Sequence, residues 1–132
     1  MIGLDTNVVV RYLVQDDPDQ SAVATALIDD LTDTEPGYLS LVTVVELYWV
    51  LHRAYKVDSG RCADLLDGLL DARELRVDRA AIVRAAAGAS RGGSDFADAV
   101  IAELGRSAGC AHTVTFDQRA ARDGVMQLLG PR

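Results

Sequence analysis

Apolar positions along the chain alternate between short uninterrupted runs and longer stretches with helical periodicity. The short runs have the length of buried strands, and the longer stretches carry apolar residues every three or four positions. Strands are predicted to end at Leu4 and to cover Tyr38–Ser40, Leu75–Val77, His112–Phe116 and Val125–Leu129; helices are predicted over Val8–Leu13, Pro18–Leu31, Leu41–Tyr55, Gly60–Ala72, Asp78–Ala87 and Asp95–Ala108. This alternation is typical of right-handed βαβ units, so the predicted fold class is α/β, with helices on both faces of a short central parallel sheet.

Two stretches carry more detailed expectations. The Leu41–Tyr55 helix is apolar nearly all round, which predicts burial on most of its sides. Gly88 and the pair at 92–93 interrupt the helical pattern, and Ser94 is then the predicted N-cap of the next helix.

Length and composition restrict the function classes. The chain of 132 residues is predicted to be a single domain over 1–132, and its net charge of −7 argues against bulk neutralisation of nucleic-acid phosphates. An acidic enzyme that holds a divalent cation by carboxylates stays compatible with that charge. No apolar run approaches the roughly 20 residues of a membrane span, so a cytoplasmic protein without membrane association is expected. Cys62 and Cys110 lack zinc-ligand spacing and are expected to be reduced thiols.

Two aspartates directly follow predicted strands, Asp5 after Leu4 and Asp117 after Phe116. In open α/β sheets, ligands bind in the crevice beyond the carboxyl ends of the strands, so both side chains are placed to meet a ligand. Each also has an ordinary structural explanation, because aspartate is favoured as a helix N-cap and in turns.

Glu46 is the only charged residue within the apolar stretch 41–51. An ionised side chain is costly to bury unless it is paired or bound to a cation, which makes Glu46 a candidate ligand. The alternative is a capping box in which Glu46 reaches back to the amide of Thr43. That alternative fails if the helix is capped by Ser40, because Glu46 then lies well inside the helix.

Helical spacing separates Asp98 from Asp95. Asp98 lies on the flank of the apolar face formed by residues 97, 100, 101 and 104, whereas Asp95 points nearly opposite. Asp98 is therefore the better candidate for a half-buried ligand, and Asp95 is explained as an acid near the positive end of the helix. Asp98 also lies near the positive end of the helix, so the same electrostatic explanation applies in part to it.

Together the four acids Asp5, Glu46, Asp98 and Asp117 could converge on one crevice. Clustered carboxylates repel and raise one another's pKa unless a cation neutralises them, and oxygen ligands favour Mg²⁺ or Mn²⁺. Metals held in this way activate water and orient phosphodiesters, so the predicted reaction class is metal-dependent phosphodiester hydrolysis.

These acids occur in the segments Leu4–Asn7, Thr43–Leu47, Asp95–Ala102 and Thr113–Asp117. In order, spacing and overall length they resemble the motifs of PIN-domain proteins, in particular the VapC toxins of bacterial toxin–antitoxin pairs. The resemblance implies a three-layer α/β/α PIN-like domain and a catalytic metal site formed by Asp5, Glu46, Asp98 and Asp117. Asn7 and Thr115 are then supporting residues, and Asp95 is an extra acid beside the site.

The resemblance also implies the biological role. A protein of this kind is a Mg²⁺-dependent endoribonuclease that cuts structured cellular RNA, such as tRNA or rRNA, and is inhibited by a cognate VapB-like antitoxin. Helices two to four carry many apolar residues for so small a domain, which predicts exposed apolar patches. A second copy of the chain and an antitoxin segment would cover these patches, so a homodimer is expected. The arginines that could contact phosphate, or that could be solvated surface residues, are Arg91, Arg106, Arg119 and Arg122.

Two other function classes stay open at this point. An aspartyl-phosphate phosphotransferase also begins with an aspartate after its first strand, but it normally has a second aspartate two residues later, where this chain has Asn7. The second class is a non-catalytic binding module on the same fold, because a fold does not fix a function.

Overall fold

A computed structural model describes residues 1–130, which form an α/β fold with helices around a short parallel sheet. Pro131 and Arg132, the end of the predicted 1–132 domain, lie outside the described residues. The strands are β1 Ile2–Gly3, β2 Gly37–Leu39, β3 Leu75–Val77, β4 Val114–Thr115 and β5 Gln127–Leu128. The helices are α1 Thr6–Val14, α2 Pro18–Asp29, α3 Leu41–Trp49, α4 Ser59–Asp71, α5 Ala80–Arg91, α6 Phe96–Ser107 and α7 Gln118–Arg122. The predicted fold class is confirmed.

The central sheet has the order β1-β2-β3, and all of its strands are parallel. Its backbone pairing continues one residue past β1, where the amide of Leu4 donates to the carbonyl of Tyr38 at 2.9 Å. Gly37 allows close packing at β2, because a Cβ there would lie 2.9 Å from the end of the Leu31 side chain and 3.0 Å from that of Leu4, and both leucines would have to shift. Asp5 therefore stands immediately beyond a closely packed strand end.

The core lies between the sheet and the helices. Leu39 of β2 and Leu47 of α3 are completely buried, and the ring of Phe96 in α6 stacks on Tyr48 with centroids 4.5 Å apart. This aromatic pair joins α3 to α6, the helices that carry Glu46 and Asp98. The helical spacing of α4 predicts an apolar seam of Leu65, Leu66, Leu69 and Leu70; Leu66 and Leu69 are buried, whereas Leu65 and Leu70 are half-buried.

The expectation that the third helix is buried on most sides is wrong. Val42 is 76% exposed and Trp49 is 60% exposed, because α3 packs on the core along one side only. The α-helix also ends at Trp49, and one turn of π-helix, Val50–Ala54, continues it. The apolar run that ends at Leu4 predicts that both Ile2 and Leu4 are buried; Leu4 is buried, but Ile2 is 47% exposed.

Several predicted boundaries also differ. Gly88 lies inside α5, which continues to Arg91, so this glycine does not interrupt the helix. The N-cap of α6 is Asp95 rather than Ser94. The short helix α7 follows Asp117, where only a polar turn was expected.

The two C-terminal strands are shorter than predicted and pair in parallel with each other, with Thr115 opposite Leu128. They form a two-stranded sheet apart from β1-β2-β3. Within residues 1–130, every helix is too short or too polar to traverse a lipid bilayer.

Candidate active site at the carboxyl edge of the sheet

Asp5 follows β1 and is the N-cap of α1. Its Oδ1 accepts a hydrogen bond from the amide of Thr6 at 2.7 Å, and the residue is exposed. The capping explanation is therefore correct, but it does not exclude a second role. A carboxylate has two oxygens, and the cap occupies only one face of one of them.

Glu46 lies in the middle of α3 and is solvent-exposed. The capping-box alternative is excluded, because Ser40 caps α3 and its Oγ accepts from the amide of Thr43 at 3.1 Å. The expectation that burial makes Glu46 costly is wrong, since the helix face that carries Glu46 opens to solvent. Its Oε1 instead accepts a hydrogen bond from the hydroxyl of Thr6, a residue that is only 6% exposed.

Asp5 and Glu46 thus meet through Thr6, across α1 and α3. Together with Asn7, these residues line one cavity of about 280 Å³. A buried threonine that donates to an exposed glutamate fixes the direction of that carboxylate, because hydrogen bonds to charged groups are stronger than neutral ones.

Asp98 is half-buried in the first turn of α6, on the flank that its helical spacing predicted. Burial is the main cause that raises the pKa of its carboxyl, and the charges of Asp95 and Asp117 raise it further, while Arg119 opposes them. Asp95 caps the helix by accepting from the amide of Asp98 at 2.9 Å. The cap therefore holds two carboxylates beside each other on one turn.

Asp117 follows β4 and caps α7. Its Oδ1 accepts from the amide of Arg119 at 2.8 Å, and its own amide donates to Thr115 Oγ1 at 3.0 Å. Thr115, the predicted supporting residue, therefore orders the turn that carries Asp117.

The structure brings the predicted acids together in two sets. Asp5 and Glu46 form the first, and Asp98, Asp95 and Asp117 form the second. Glu46 and Ala97 also line one groove between α3 and α6, so the first set borders the helix of the second. In the part of the chain that the structure describes, no three His, Cys, Asp or Glu side chains are close enough to hold one metal ion.

A cleft beside Asp95 contains residues that the sequence analysis missed. This basic cleft has a volume of about 640 Å³ and is defined by His52, Arg53, Lys56, Asp58, Asp95 and Arg119. His52 and Arg53 belong to the π-helical turn, and Lys56, the only lysine of the chain, has a positive φ of 58°. The sequence did contain a signal for this cleft: His52, Arg53 and Lys56 lie within five positions, directly after the apolar stretch 41–51, in a chain that is acidic overall.

The four arginines considered as phosphate contacts have different surroundings. Arg91 donates to both Asp64 and Asp67 at 2.7 Å, and it is therefore occupied in a surface ion-pair network. Arg106 lies 3.6 Å from Glu103 of the same helix. Arg119 lines the basic cleft, and Arg122 is exposed.

The PIN-domain family model matches residues 2–124, which is almost the whole chain. This chain belongs to the PIN-domain family. Members of the family are typically Mg²⁺-dependent nucleases. No curated protein matched the chain in a sequence comparison.

The donor atoms of this PIN domain fit a hard divalent cation. Every candidate ligand is a carboxylate oxygen, which suits Mg²⁺ and Mn²⁺ and does not suit a structural zinc ion. Burial is the main cause of the raised pKa of Asp98, and the charges of Asp95 and Asp117, which a bound cation would neutralise, raise it further.

Proposed function

We propose that this PIN domain is a Mg²⁺- or Mn²⁺-dependent endoribonuclease that acts in the cytoplasm as the VapC-type toxin of a toxin–antitoxin pair. Its substrate would be a structured cellular RNA, such as a tRNA or rRNA. The observation that carries the proposal is Asp98, a half-buried carboxyl held beside Asp95 and Asp117. Such a grouping lowers stability and is best explained by binding of a cation.

The proposed ligands are Asp5 and Asp98, with Glu46 and Asp117 completing the set, so binding of one cation would require the two sets of acids to approach each other. When bound there, the cation supplies positive charge against the phosphodiester and lowers the pKa of a water molecule. The chain's own groups do the positioning: Thr6 orients Glu46, the Asp95 cap fixes the turn that carries Asp98, and Thr115 fixes the turn of Asp117. In the proposed hydrolysis, water would add to phosphorus as the bond to the ribose oxygen on the opposite side breaks; the proton of water would pass to solvent, and the departing oxygen would take one up.

Asp5→Asn gives the sharpest test of this mechanism. Asparagine is as good an N-cap as aspartate, so α1 keeps its cap while the site loses a charge. Cleavage of total tRNA by the purified protein should require Mg²⁺ or Mn²⁺, stop in excess chelator, and fall by a factor of about 100 or more in the variant, as expected when a group needed for transition-state stabilisation is lost.

Asp17→Asn is the matched control. Asp17 is also an N-cap, accepting from the amide of Gln20 at 3.0 Å, and it lines none of the cavities that contain the predicted acids, so this variant should cleave RNA like the wild type. Equal cleavage in chelator, or full activity in Asp5→Asn, would exclude the metal mechanism.

The proposed partners are a second copy of the chain and a VapB-like antitoxin. The groove between α3 and α6 has a volume of about 570 Å³ and is bordered by the exposed side chains of Val42, Trp49 and Ile101. A contiguous apolar surface of this kind is typical of a protein interface. A small upstream reading frame that encodes a DNA-binding protein would support the antitoxin.

A non-catalytic PIN-fold binding module is the second candidate. The separation of the acids into two sets, with no group of three ligands among residues 1–130, favours it. Calorimetric titration with Mn²⁺ separates the two functions. A nuclease should bind Mn²⁺ with a heat that is lost when Asp5 or Asp98 is replaced, whereas the binding module should show no such heat.

A further inference from the structure

The basic cleft has an unusual charge for this protein. Arg53, Lys56 and Arg119 face Asp58 and Asp95, so cations outnumber carboxylates in a chain whose net charge is −7. None of these three cations forms a salt bridge with any residue in the range 1–130, whereas Arg91 and Arg84 are both paired.

The carboxylates of the cleft are held in helix caps. Asp58 Oδ1 accepts from the amide of Arg61 at 2.9 Å, and Asp95 Oδ1 accepts from that of Asp98 at 2.9 Å. Their positions are fixed by α4 and α6, and within residues 1–130 neither forms a salt bridge with Arg53, Lys56 or Arg119. The cations therefore stay available to an anion from outside the molecule.

His52 also lines the cleft. Its Nδ1 lies 2.8 Å from the carbonyl of Val57, and since a carbonyl can only accept, Nδ1 carries the proton in this contact. The ring is thereby fixed at the mouth of the cleft. Arg53 and Lys56 thus lie on one ordered turn that follows α3, whereas Arg119 comes from α7.

The floor of the cleft is aromatic but closed. Tyr48 and Phe96 stack on each other and are 7% and 1% exposed, so neither ring offers a free face to a nucleobase. A ligand in the cleft would therefore be recognised by its charge and not by base stacking, in contrast to single-strand binders that use aromatic platforms.

The cleft borders the candidate active site. Asp95, which caps the helix that carries Asp98, lines the cleft, and so does Arg119, which lies two residues after Asp117. An anionic polymer that occupies the cleft would therefore lie beside the candidate metal ligands.

We infer that the basic cleft binds the sugar–phosphate backbone of the RNA strand next to the bond that is cut, with Arg53, Lys56 and Arg119 as phosphate contacts. The inference rests on the proposed nuclease function and adds its substrate path. The recognition is independent of sequence, because the contacts are to phosphate.

Binding can be measured apart from cleavage. A fluorescein-labelled, mixed-sequence single-stranded RNA is titrated with the full-length protein in chelator, and anisotropy is recorded over a range of salt concentrations. Arg53→Gln/Lys56→Gln should weaken binding by roughly tenfold or more and reduce the slope of log affinity against log salt by about 1.4, since each phosphate contact on a single strand contributes about 0.7. The backbone at position 56 is left-handed, and glutamine adds no more strain there than lysine does.

Arg73→Gln/Arg79→Gln is the matched control, because it removes the same charge at two exposed residues that do not line the cleft. This variant should bind like the wild type, and thermal melts should show that both variants fold. Equal binding by the cleft variant and the control overturns the inference, as does a wild-type protein that fails to bind the RNA at low salt. Binding of polyglutamate in place of RNA, with the same dependence on Arg53 and Lys56, would assign the cleft to an acidic protein and also overturns it.

The two hypotheses fail in different ways. If the wild type cleaves RNA and the cleft variant binds and cleaves normally, the substrate path is wrong and the nuclease stands. If RNA binding depends on the cleft but no RNA is cleaved with Mg²⁺ or Mn²⁺, the nuclease is wrong and the binding cleft stands.

Discussion

At the scale of single residues, the candidate site reuses carboxylates that already serve as helix caps. Asp5, Asp95 and Asp117 each accept a backbone amide through Oδ1, which fixes the side chain at a low cost in conformational freedom. Capping and metal binding are therefore compatible, and the two explanations that the sequence left open for these residues do not compete. Asp98 is different, because its carboxyl is half-buried without being a cap.

Asp98→Asn should leave the stability of the metal-free protein unchanged or raise it, by about 1 kcal/mol at most. The pKa of Asp98 is raised in the folded protein, so its ionised form lowers stability once the pH rises through the folded pKa, and asparagine removes that penalty. Thermal melts with and without saturating Mg²⁺ should also show a smaller metal-induced stabilisation than in the wild type.

Asp19→Asn controls for the helix-end effect. Asp19 occupies the first turn of α2 as Asp98 occupies that of α6, so it loses the same favourable interaction with the helix dipole. The control should be slightly destabilised and should keep the full response to Mg²⁺. An unchanged metal response in Asp98→Asn would remove Asp98 from the site.

The two cysteines should differ in reactivity. Burial raises the pKa of the Cys62 thiol to about 11, and this residue is completely buried, whereas Cys110 is exposed. Because the thiolate is the reactive form, Ellman's reagent at pH 8 should modify one thiol in the native protein and both in denaturant. Two fast-reacting thiols in the native state would contradict the packing of α4.

At the scale of helices and strands, the sequence predicted the features that depend on the periodicity of apolar residues. It did not predict the burial of residues whose exposure is determined by tertiary contacts. The spacing of Leu66 and Leu69 predicted their burial, because residues three positions apart lie on the same face of a helix. It could not predict the exposure of Val42, because an apolar residue on a helix is buried only where a neighbouring element covers it. The prediction of Ser94 as N-cap failed for a related reason: serine and aspartate both cap well, so residue type alone does not distinguish Ser94 from Asp95.

The candidate site shows the same division. Strand ends and helix spacing predicted where Asp5 and Asp98 lie, because those positions follow from local pattern. The bond between Thr6 and Glu46 joins residues 40 positions apart, and the basic cleft brings Arg53 and Arg119 together from different elements. Such contacts depend on how the helices pack, and the sequence pattern does not contain that information.

The glycines at the end of α5 should respond oppositely to alanine. Gly88 lies inside the helix with open space where the Cβ of an alanine would lie, so Gly88→Ala should raise the free energy of unfolding by about 0.5–1 kcal/mol. Gly93 has a φ of 104° in the turn to α6, so Gly93→Ala should lower it by about 1 kcal/mol or more. Urea melts of both variants test this, and equal effects of the two changes would show that the turn between α5 and α6 is not as described.

At the scale of the whole molecule, apolar surface should determine assembly. Sedimentation of the wild type at micromolar concentration is expected to show a dimer, and Trp49→Glu should shift it to a monomer, because a charge in an apolar interface loses hydration without gaining a partner. Val114→Glu, at a residue of β4 that is 50% exposed and lies outside helices two to four, is the control and should remain dimeric. A wild type that is strictly monomeric would refute the dimer.

The separation of β4 and β5 from the central sheet has a consequence for how the protein loses function on heating. Across residues 113–130 only Ala120 is buried, and the strands are joined by the short bonds from Gln127 to Thr113 and from Leu129 to Thr115, at 2.8 and 2.7 Å. Segments with few buried side chains open at a lower free energy than the rest of a domain. Asp117 sits on this segment, so amide exchange should be faster at Leu129 than at Leu4, and enzymatic inactivation should occur at a temperature below the melting of the core.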